Sequence, residues 1–333
     1  MLPVHMFSGD ANPRRERDIP IVTACDLAYI RLRSPDLHQA RAFLDDFGFT
    51  FADRTEHALY MRGSGTAHHI HITEEGDPGV VGFAFNVESE EELARASRID
   101  GATCIEVIDE PGGGKRVRVC EPNGFVVELV HGIETVTEIP VESLIYNSGS
   151  EPLRRPGRLQ RLAPSPSRIK RIGHVVLASP DPRRTTRWFH DNLGLIASDD
   201  IYVETPDNVI ATFSRIDRGD EYVDHHAFFC FQAAKAGLNH VSFEVPDIDA
   251  VIADHEHLKR LGKYEHMWGI GRHLLGSQVF DYWLDPWGRI HEHWADSDRL
   301  TRRDLSNLIS AEEGFVAQWG KHPPQSFLAH ASR

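Results

Sequence analysis

Three residues in the second half of the chain are of the types that hold a redox-active metal. His174 lies in the run RIGHVVL, His240 in LNHVSFEV, and Glu292 near the end of DYWLDPWGRIHEHW. Two imidazoles and one carboxylate make up the facial triad that binds a non-haem ferrous ion on one side and leaves the other side open to substrate and dioxygen. The sequence therefore predicts iron-dependent oxygen chemistry.

An internal repeat governs where these residues fall. Residues 26–49 and 172–195 share an alternating strand, a Ser-Pro-Asp corner, an amphipathic helix and a glycine. Ser-Pro-Asp suits a helix entry, because proline and an acidic residue favour the first turn. Two further pairs of segments repeat a strand followed by a helix, and two strands joined by a Pro-x-Gly turn: VVGFAFNVESEEELARA with LNHVSFEVPDIDAVIADH, and VRVCEPNGFVVELVHG with FDYWLDPWGRIHEHWAD.

The tandem repeat predicts an α+β fold. Tandem βαβββ modules would form two similar domains, each a curved mixed sheet that encloses a central cavity. We expect an N-terminal extension over residues 1–20, a first domain over 21–140, a linker rich in proline and arginine over 141–170, a second domain over 171–298 and a helical tail over 299–333. In the tail, TRRDLSNLISAEEGFVAQWG has the pattern of an amphipathic helix.

Composition and charge exclude several classes of protein. A chain of 333 residues is long enough for two domains. With 36 basic and 50 acidic side chains, its net charge of -14 would repel nucleic acid. No apolar stretch suits a membrane span and the first residues lack a secretory signal, so we expect a soluble, cytoplasmic protein. A homo-oligomer of closed symmetry is the expected assembly.

The first repeat serves as an internal control for the metal site. Aligning the two halves pairs three sets of residues: Tyr29 with His174, Gly82 with His240, and Glu128 with Glu292. One carboxylate alone makes a weak iron site. We therefore expect the first domain to be metal-free and structural.

Equal spacings point to a fourth polar residue in the second domain. His174 and His226 are 52 positions apart, as are His240 and Glu292. Inward polar residues on an otherwise apolar sheet cost free energy unless something satisfies them. A metal would satisfy them.

The segment from Gly271 to Glu292, GRHLLGSQVFDYWLDPWGRIHE, resembles the signature of the type I extradiol ring-cleaving dioxygenases of the vicinal oxygen chelate superfamily. That signature runs Gly-x-His, a spacer, Tyr, two residues, a polar residue, Pro-x-Gly and the liganding Glu. Six residues fall at the matching offsets: His273, Tyr282, Asp285, Pro286, Gly288 and Glu292. Asp281 departs from the pattern, because the family has an apolar residue there.

The resemblance implies a reaction and its participants. The expected cofactor is Fe(II), with Mn(II) as the alternative, and the expected substrates are O2 and a small-molecule catechol that is cleaved beside its diol. The resemblance assigns these roles: His174, His240 and Glu292 as metal ligands, His226 as the acid/base residue with His225 as the alternative, and His273 and Tyr282 as hydrogen-bond partners of the catecholate and the oxygen intermediate.

Two other functions remain open at this stage. If His226 were a fourth metal ligand, the protein would be nearer to the non-redox lyases and isomerases that resemble glyoxalase. A metal-free protein that sequesters a small aromatic molecule is the third possibility, against which the complete triad argues.

The substrate itself is only loosely constrained. Trp268, Trp283 and Trp287 suggest an aromatic pocket, or else they pack between strands. Arginines at 299, 302 and 303 are candidates for gripping a substrate, but no arginine stands at a clear carboxylate-binding position. We therefore expect a neutral, substituted or bicyclic catechol.

Overall fold

The computed structural model describes residues 19–142 and 144–333. Most of the predicted N-terminal extension, residues 1–18, lies outside the described residues. Within the described ranges the longest helix has 14 residues, and none has both the length and the apolar character that a bilayer crossing needs.

The first half of the chain forms an eight-stranded mixed sheet with strand order β2-β3-β4-β1-β5-β8-β7-β6. Its elements are β1 (Ala24–Ser34), α1 (Leu37–Asp46), β2 (Thr50–Arg54), β3 (Ala58–Arg62), β4 (His71–Glu75), β5 (Gly79–Val87), α2 (Glu90–Ala96), β6 (Glu106–Val107), β7 (Lys115–Cys120) and β8 (Val126–His131). The order is strand, helix and three strands, twice over.

The second half repeats this order in a ten-stranded mixed sheet, β19-β10-β11-β13-β9-β14-β17-β16-β15-β20, whose edge strands β19 (Asn307–Ser310) and β20 (Ala317–Trp319) come from the C-terminal tail. The elements of this half are β9 (Arg171–Ser179), α3 (Pro182–Leu193), β10 (Leu195–Tyr202), β11 (Val209–Ile216), β13 (Phe228–Gln232), β14 (Gly237–Glu244), α4 (Ile248–Leu261), β15 (His266–His273), β16 (Val279–Leu284) and β17 (Ile290–Ala295), and β12 (Val223–Asp224) is an additional short strand outside this sheet. The predicted α+β fold with two similar domains is confirmed.

Aspartates of the repeated Ser-Pro-Asp corners begin two of the helices. The Asp36 carboxylate accepts hydrogen bonds from the backbone N–H groups of His38 and Gln39 at the start of α1. Asp181 accepts from the N–H of Arg184 at the start of α3, where Pro182 takes the first helical position. Both caps satisfy N–H groups that a helix start leaves free. The predicted helix entries are present, with each aspartate at the N-cap position and not in the first turn.

Strand register shows how closely the two domains correspond. In the first sheet Tyr29 pairs with Ala84, which pairs with Glu128. In the second sheet His174 pairs with Ser242, which pairs with Glu292. Tyr29 and Glu128 therefore share a row as His174 and Glu292 do, and Gly82 and His240 each lie two residues before the middle residue of that row.

A continuous apolar core joins the two domains. Phe83 of β5 stacks on Phe189 of α3 at a ring-centroid distance of 6.1 Å. On the other side of the interface, Phe47 stacks on His293 of β17 at 3.7 Å, and His293 Nε2 lies 2.8 Å from the Phe47 carbonyl oxygen. The first domain thus packs against the face of the second sheet that carries His293, opposite to the face that carries Glu292.

The C-terminal tail departs from the predicted amphipathic helix. Most of it is extended or irregular, with β18 (Arg299–Leu300), β19 (Asn307–Ser310), α5 (Ala311–Gly314), β20 (Ala317–Trp319) and α6 (Gln325–Leu328). β19 pairs with β10 and β20 with β15, at the two edges of the second sheet. Open sheet edges offer unpaired backbone groups, and here that pairing overrides the helical pattern of the sequence.

Candidate metal centre and active site

Neighbouring strands bring the three predicted metal ligands together. His174 lies on β9, His240 on the adjacent β14, and Glu292 on β17 beside β14. His174 Nε2 is 2.9 Å from Glu292 Oε2, His240 Nε2 is 3.5 Å from the same oxygen, and the two Nε2 atoms are 3.4 Å apart. All three ligand atoms therefore face one point.

The buried state of this cluster fits a divalent metal. The three residues are 2%, 5% and 0% exposed, and neither Glu292 oxygen has a hydrogen-bond partner of good geometry. Burial raises the pKa of Glu292, but the neighbouring His174 and His273 hold it well below its usual range. Ligands at right angles and about 2.1 Å from one ion are about 3.0 Å apart, close to the separations observed.

Asn239 fixes the orientation of His240. Its Nδ2 donates to the backbone carbonyl oxygens of Phe327, at 2.8 Å, and His330, at 3.0 Å, so its Oδ1 faces the other way. That Oδ1 lies 2.7 Å from His240 Nδ1 and accepts its proton. The remaining nitrogen, Nε2, keeps its lone pair for a metal.

Behind His226 lies a chain of three polar side chains. The Asp199 carboxylate contacts His225 Nε2, and His225 Nδ1 lies 3.1 Å from His226 Nδ1. Asn307 of β19 donates to the other Asp199 oxygen at 2.8 Å. All but Asn307 are at least 96% buried, which strengthens the hydrogen bonds between them.

The hydrogen bonds that link Asp199, His225 and His226 indicate which nitrogen of each histidine carries a proton. An ionised carboxylate only accepts, so His225 Nε2 donates to Asp199. A neutral His225 then accepts at Nδ1, and His226 donates from its own Nδ1. This leaves His226 Nε2 as a proton acceptor. Of the two histidines, His226 lines the cavity, with its ring 4.1 Å from that of His174.

Burial and the nearby His174 hold the pKa of His226 well below its usual range. Tyr282 lies on β16 opposite Glu292, and burial together with that carboxylate raises its pKa well above 10. Its hydroxyl lies 2.9 Å from His273 Nε2. At neutral pH the site thus offers a neutral imidazole base and a phenol O–H donor.

A cavity of about 280 Å³ opens beside the ligand cluster. Most of its wall is apolar: Val176, Ile210, Phe213, Phe229, Phe231, Trp268, Leu274, Leu275, Phe315, Val316, Pro323, Phe327 and Leu328. The polar lining residues are His174, His226, Gln232, Asn239, His240, His273, Gln278 and Tyr282. Among the residues that the structure describes, neither lysine nor arginine lines it.

Of the three tryptophans that the sequence singles out, Trp268 alone lines the cavity. It stacks on Tyr282 at a ring-centroid distance of 5.3 Å, whereas Trp283 packs on the opposite face of β16 and Trp287 lies in a turn.

The arginines that the sequence singles out pair with acidic side chains away from the cavity: Arg299 with Asp224, Arg302 with Asp217 and Arg303 with Asp220. The substrate-gripping role considered for them is wrong.

In the first domain, the corresponding row holds an ion-pair network. Tyr29 donates a short hydrogen bond to Glu128, and Arg31 Nε lies 3.5 Å from the same carboxylate. At Gly82, which corresponds to His240, a Cβ atom would lie 1.9 Å from the Val126 carbonyl oxygen. The described residues of this domain therefore hold no triad, and the backbone forbids restoring its second histidine.

The sequence contains a further signal that concerns the pair His225 and His226. The first domain has a second His-His pair, His68 and His69, whose Nδ1 atoms are 3.0 Å apart, like those of His225 and His226. The runs AHHIHI and DHHAFF show this parallel directly. It marks the histidine pair as part of the duplicated module.

Three supporting residues were missed by sequence reasoning. Asn239 is adjacent to His240, so the pair Asn-His was a usable signal. Asp199 and Asn307 are separated by 108 positions and meet only because β19 pairs with β10. Nothing local in the sequence reports that pairing.

Comparison with known proteins agrees with this geometry. The family model of the Glyoxalase/Bleomycin resistance protein/Dioxygenase superfamily matches residues 26–129 and 171–289, more than half of the chain. The chain belongs to this superfamily.

The proteins to which this chain is similar include different enzymes. Metapyrocatechase 2 from Cupriavidus necator is 29% identical over 303 residues, which cover 89% of each chain. Homoprotocatechuate 2,3-dioxygenase from Brevibacterium fuscum, solved with 3,4-dihydroxyphenylacetate, has a TM-score of 0.77 at 21% identity and covers 94% of this chain and 95% of that one. A Mn(II)-bound glyoxalase from Novosphingobium aromaticivorans has a TM-score of 0.74 at 20% identity, with coverages of 91% and 94%. At these identities the two solved structures show that the fold is shared.

Proposed function

We propose that this member of the superfamily is an Fe(II)-dependent extradiol dioxygenase, which cleaves a catechol ring beside its diol and inserts both atoms of O2. The observation that carries the proposal is a three-residue ligand cluster next to an apolar cavity that also holds a neutral base, His226, and a phenol donor, Tyr282. The relative named metapyrocatechase supports the same reaction class.

His174, His240 and Glu292 would hold the metal through Nε2, Nε2 and a carboxylate oxygen. When bound, Fe(II) supplies open positions for both catechol oxygens and for dioxygen, and a path for electron density from the ring to oxygen. Mn(II) would suit the same ligands, since the ligand set does not choose sharply between these ions.

His226 is the proposed acid/base residue. Its free Nε2 can accept a proton from a catechol hydroxyl, and it can return that proton later in the reaction. His225 and Asp199 act as positioning residues, because they hold His226 in the tautomer that accepts at Nε2. This ranks His226 above the alternative, His225.

Tyr282 and His273 are proposed to stabilise negative charge on oxygen. The Tyr282 hydroxyl stays protonated at neutral pH, and it lies in the cavity wall beside the ring of His240, 5.0 Å away between centroids. A donor that is already in position stabilises developing charge without reorganising. His273 shares a hydrogen bond with Tyr282 and orients it.

The preferred substrate is a neutral catechol with an apolar substituent. An enclosed space of roughly 150 Å³ holds a benzene molecule, so a cavity of about 280 Å³ has room for a second group of similar size. A carboxylate there would be desolvated without a cationic partner among the described lining residues.

The glyoxalase-like alternative needs a fourth protein ligand. The ligand atoms that lie within 4.8 Å of one another belong to His174, His240 and Glu292, and His226 is outside this group in the described part of the chain. Its Nδ1 is also engaged by His225. This supports a metal that keeps coordination positions open for substrate, and not one whose coordination the protein completes with a fourth ligand.

Oxygen uptake against a panel of catechols tests the proposal. We expect Fe(II)-loaded protein to consume O2 with alkyl- or phenyl-substituted catechols, with kcat/KM about 100-fold or more above that for 3,4-dihydroxyphenylacetate. Equal rates would contradict the substrate class. No uptake with any catechol would contradict the reaction class.

A further inference from the structure

Asp281, which departs from the family signature, lies at the centre of a second group of metal-binding side chains. It is on β16, one residue before Tyr282, and its side chain points to the opposite face of the sheet, toward α4. His255 of α4 and His266 at the start of β15 meet it there. The ligand atoms of the three residues all lie within 4.8 Å of one another.

The two oxygens of Asp281 have different surroundings. Oδ1 lies 2.8 Å from His266 Nε2 and 3.2 Å from His255 Nδ1. Oδ2 accepts a short hydrogen bond from the indole N–H of Trp283 and lies 3.1 Å from His255 Nδ1. The indole N–H of Trp283 can only donate, and its hydrogen bond occupies Oδ2. Oδ1 therefore remains available to bind an ion together with the two imidazoles.

Burial makes this arrangement demanding for a carboxylate. The Asp281 side chain is fully buried, whereas the side chains of His255 and His266 are 14% and 30% exposed. A buried carboxylate is stable only when paired or bound to a cation. The partly exposed histidines leave a route from solvent to the cluster.

We propose that His255, His266 and Asp281 form a second, structural site for a divalent transition metal of the Zn(II) type, on the outer face of β16. Two imidazoles and one carboxylate suit Zn(II), and ligands of a tetrahedral zinc ion are about 3.3 Å apart, near the separations seen here. The hydrogen bond from Trp283 orients the carboxylate from behind, as outer-shell partners do in metal sites. The ion would clamp α4 to β15 and β16.

Metal counting in variants separates this site from the triad. After chelator treatment and equilibrium dialysis against Zn(II) alone, we expect two zinc ions per wild-type chain and one per chain in the double variant His174→Ala, His240→Ala. Adding His255→Gln to that double variant should reduce the content to zero. His57→Gln is the matched control, since His57 also lies beside a carboxylate, Glu75, but is exposed.

Two further readouts do not depend on counting. Cobalt(II) bound to the His174→Ala, His240→Ala variant should give the visible absorption of tetrahedral cobalt, and His266→Gln should abolish it. Zn(II) at about 100-fold over its Kd should raise the Tm of the same variant by about 5 °C, but not when Asp281→Asn is added. A wild-type content of one zinc, with none in the triad variant, would overturn the proposal. So would a second zinc that persists in both His255→Gln and Asp281→Asn.

Discussion

Asn239 Oδ1 lies 2.7 Å from His240 Nδ1, while Asn239 Nδ2 donates to two carbonyl oxygens of the C-terminal segment. One buried amide therefore connects a candidate metal ligand to the segment that contributes Phe327 to the cavity wall. Metal binding and the closure of the cavity share a residue, and substitutions at Asn239 can separate the two effects.

Asn239→Ala should weaken metal binding about 10- to 100-fold, because His240 loses the acceptor that selects its tautomer. Asn239→Asp keeps an acceptor for His240 but loses both donors to the tail, so its metal affinity should stay near wild type while the C-terminal segment becomes sensitive to protease. Titration with Fe(II) and limited proteolysis measure the two effects. Equal metal affinities in wild type and Asn239→Ala would rule out the orienting role.

His226→Ala should bind catechol yet turn over at least about 100-fold more slowly, because the proton acceptor is removed. Single-turnover and steady-state kinetics with an apolar catechol measure this loss. Wild-type turnover in His226→Ala would refute its assignment.

Asp199→Asn should lower kcat with little change in KM, since an amide no longer imposes the tautomer of His226 through His225. Asp200→Asn is the control, because the adjacent Asp200 binds Thr212 instead. Steady-state kinetics separate kcat from KM.

Phe327→Ala should raise KM for apolar catechols about tenfold. Phe327 is 8% exposed, and its ring lies 4.8 Å from Tyr282 and 4.9 Å from Trp268. Removing it takes apolar area from the binding wall and admits water. Trp319→Ala is a suitable comparison, because that tail residue is 46% exposed and does not line the cavity. If both variants raised KM equally, the effect would come from the tail in general.

Acid stability should depend on a histidine pair at the interface between the domains. His71 Nε2 lies 3.3 Å from His291 Nε2, and both residues are buried. Burial and the facing His291 hold the pKa of His71 well below its usual range, and burial lowers the pKa of His291 to about 4. The unfolded chain thus binds more protons than the folded one below about pH 6.5, and stability falls as the pH falls from there toward 4.

His71→Phe should flatten this dependence by up to about 1.4 kcal/mol per pH unit. Urea denaturation of metal-free protein at pH 7.5, 6 and 5 measures the slope, and the exposed His38→Gln serves as the control. Parallel pH profiles for wild type and His71→Phe would contradict the burial of a neutral imidazole.

Much of the fold was predictable because the duplication repeats local signals. Ser-Pro-Asp corners predicted the starts of α1 and α3, and alternating strands predicted the mixed sheets. The triad was predictable for the same reason: His174, His240 and Glu292 stand where the first repeat has Tyr29, Gly82 and Glu128, and the strand register places the two sets in corresponding positions.

What could not be predicted depends on long-range pairing. The tail has a helical periodicity, yet β19 and β20 form because the edges of the second sheet need partners. The same pairing brings Asn307 to Asp199 and so completes the support of His225. The equal 52-residue spacings did single out His226 as the inward histidine, whereas the contacts through His225 and Asp199 that hold it in place were not readable from the sequence.

Dioxygen stoichiometry tests the central proposal most directly. A limiting, known amount of an apolar catechol is added to Fe(II)-loaded protein in an oxygen electrode, with absorbance recorded in parallel. We predict one O2 consumed per catechol, a yellow ring-fission product, and neither signal with folded His174→Ala. Catechol conversion without O2 uptake, or undiminished uptake by His174→Ala, would contradict an extradiol dioxygenase that uses this triad.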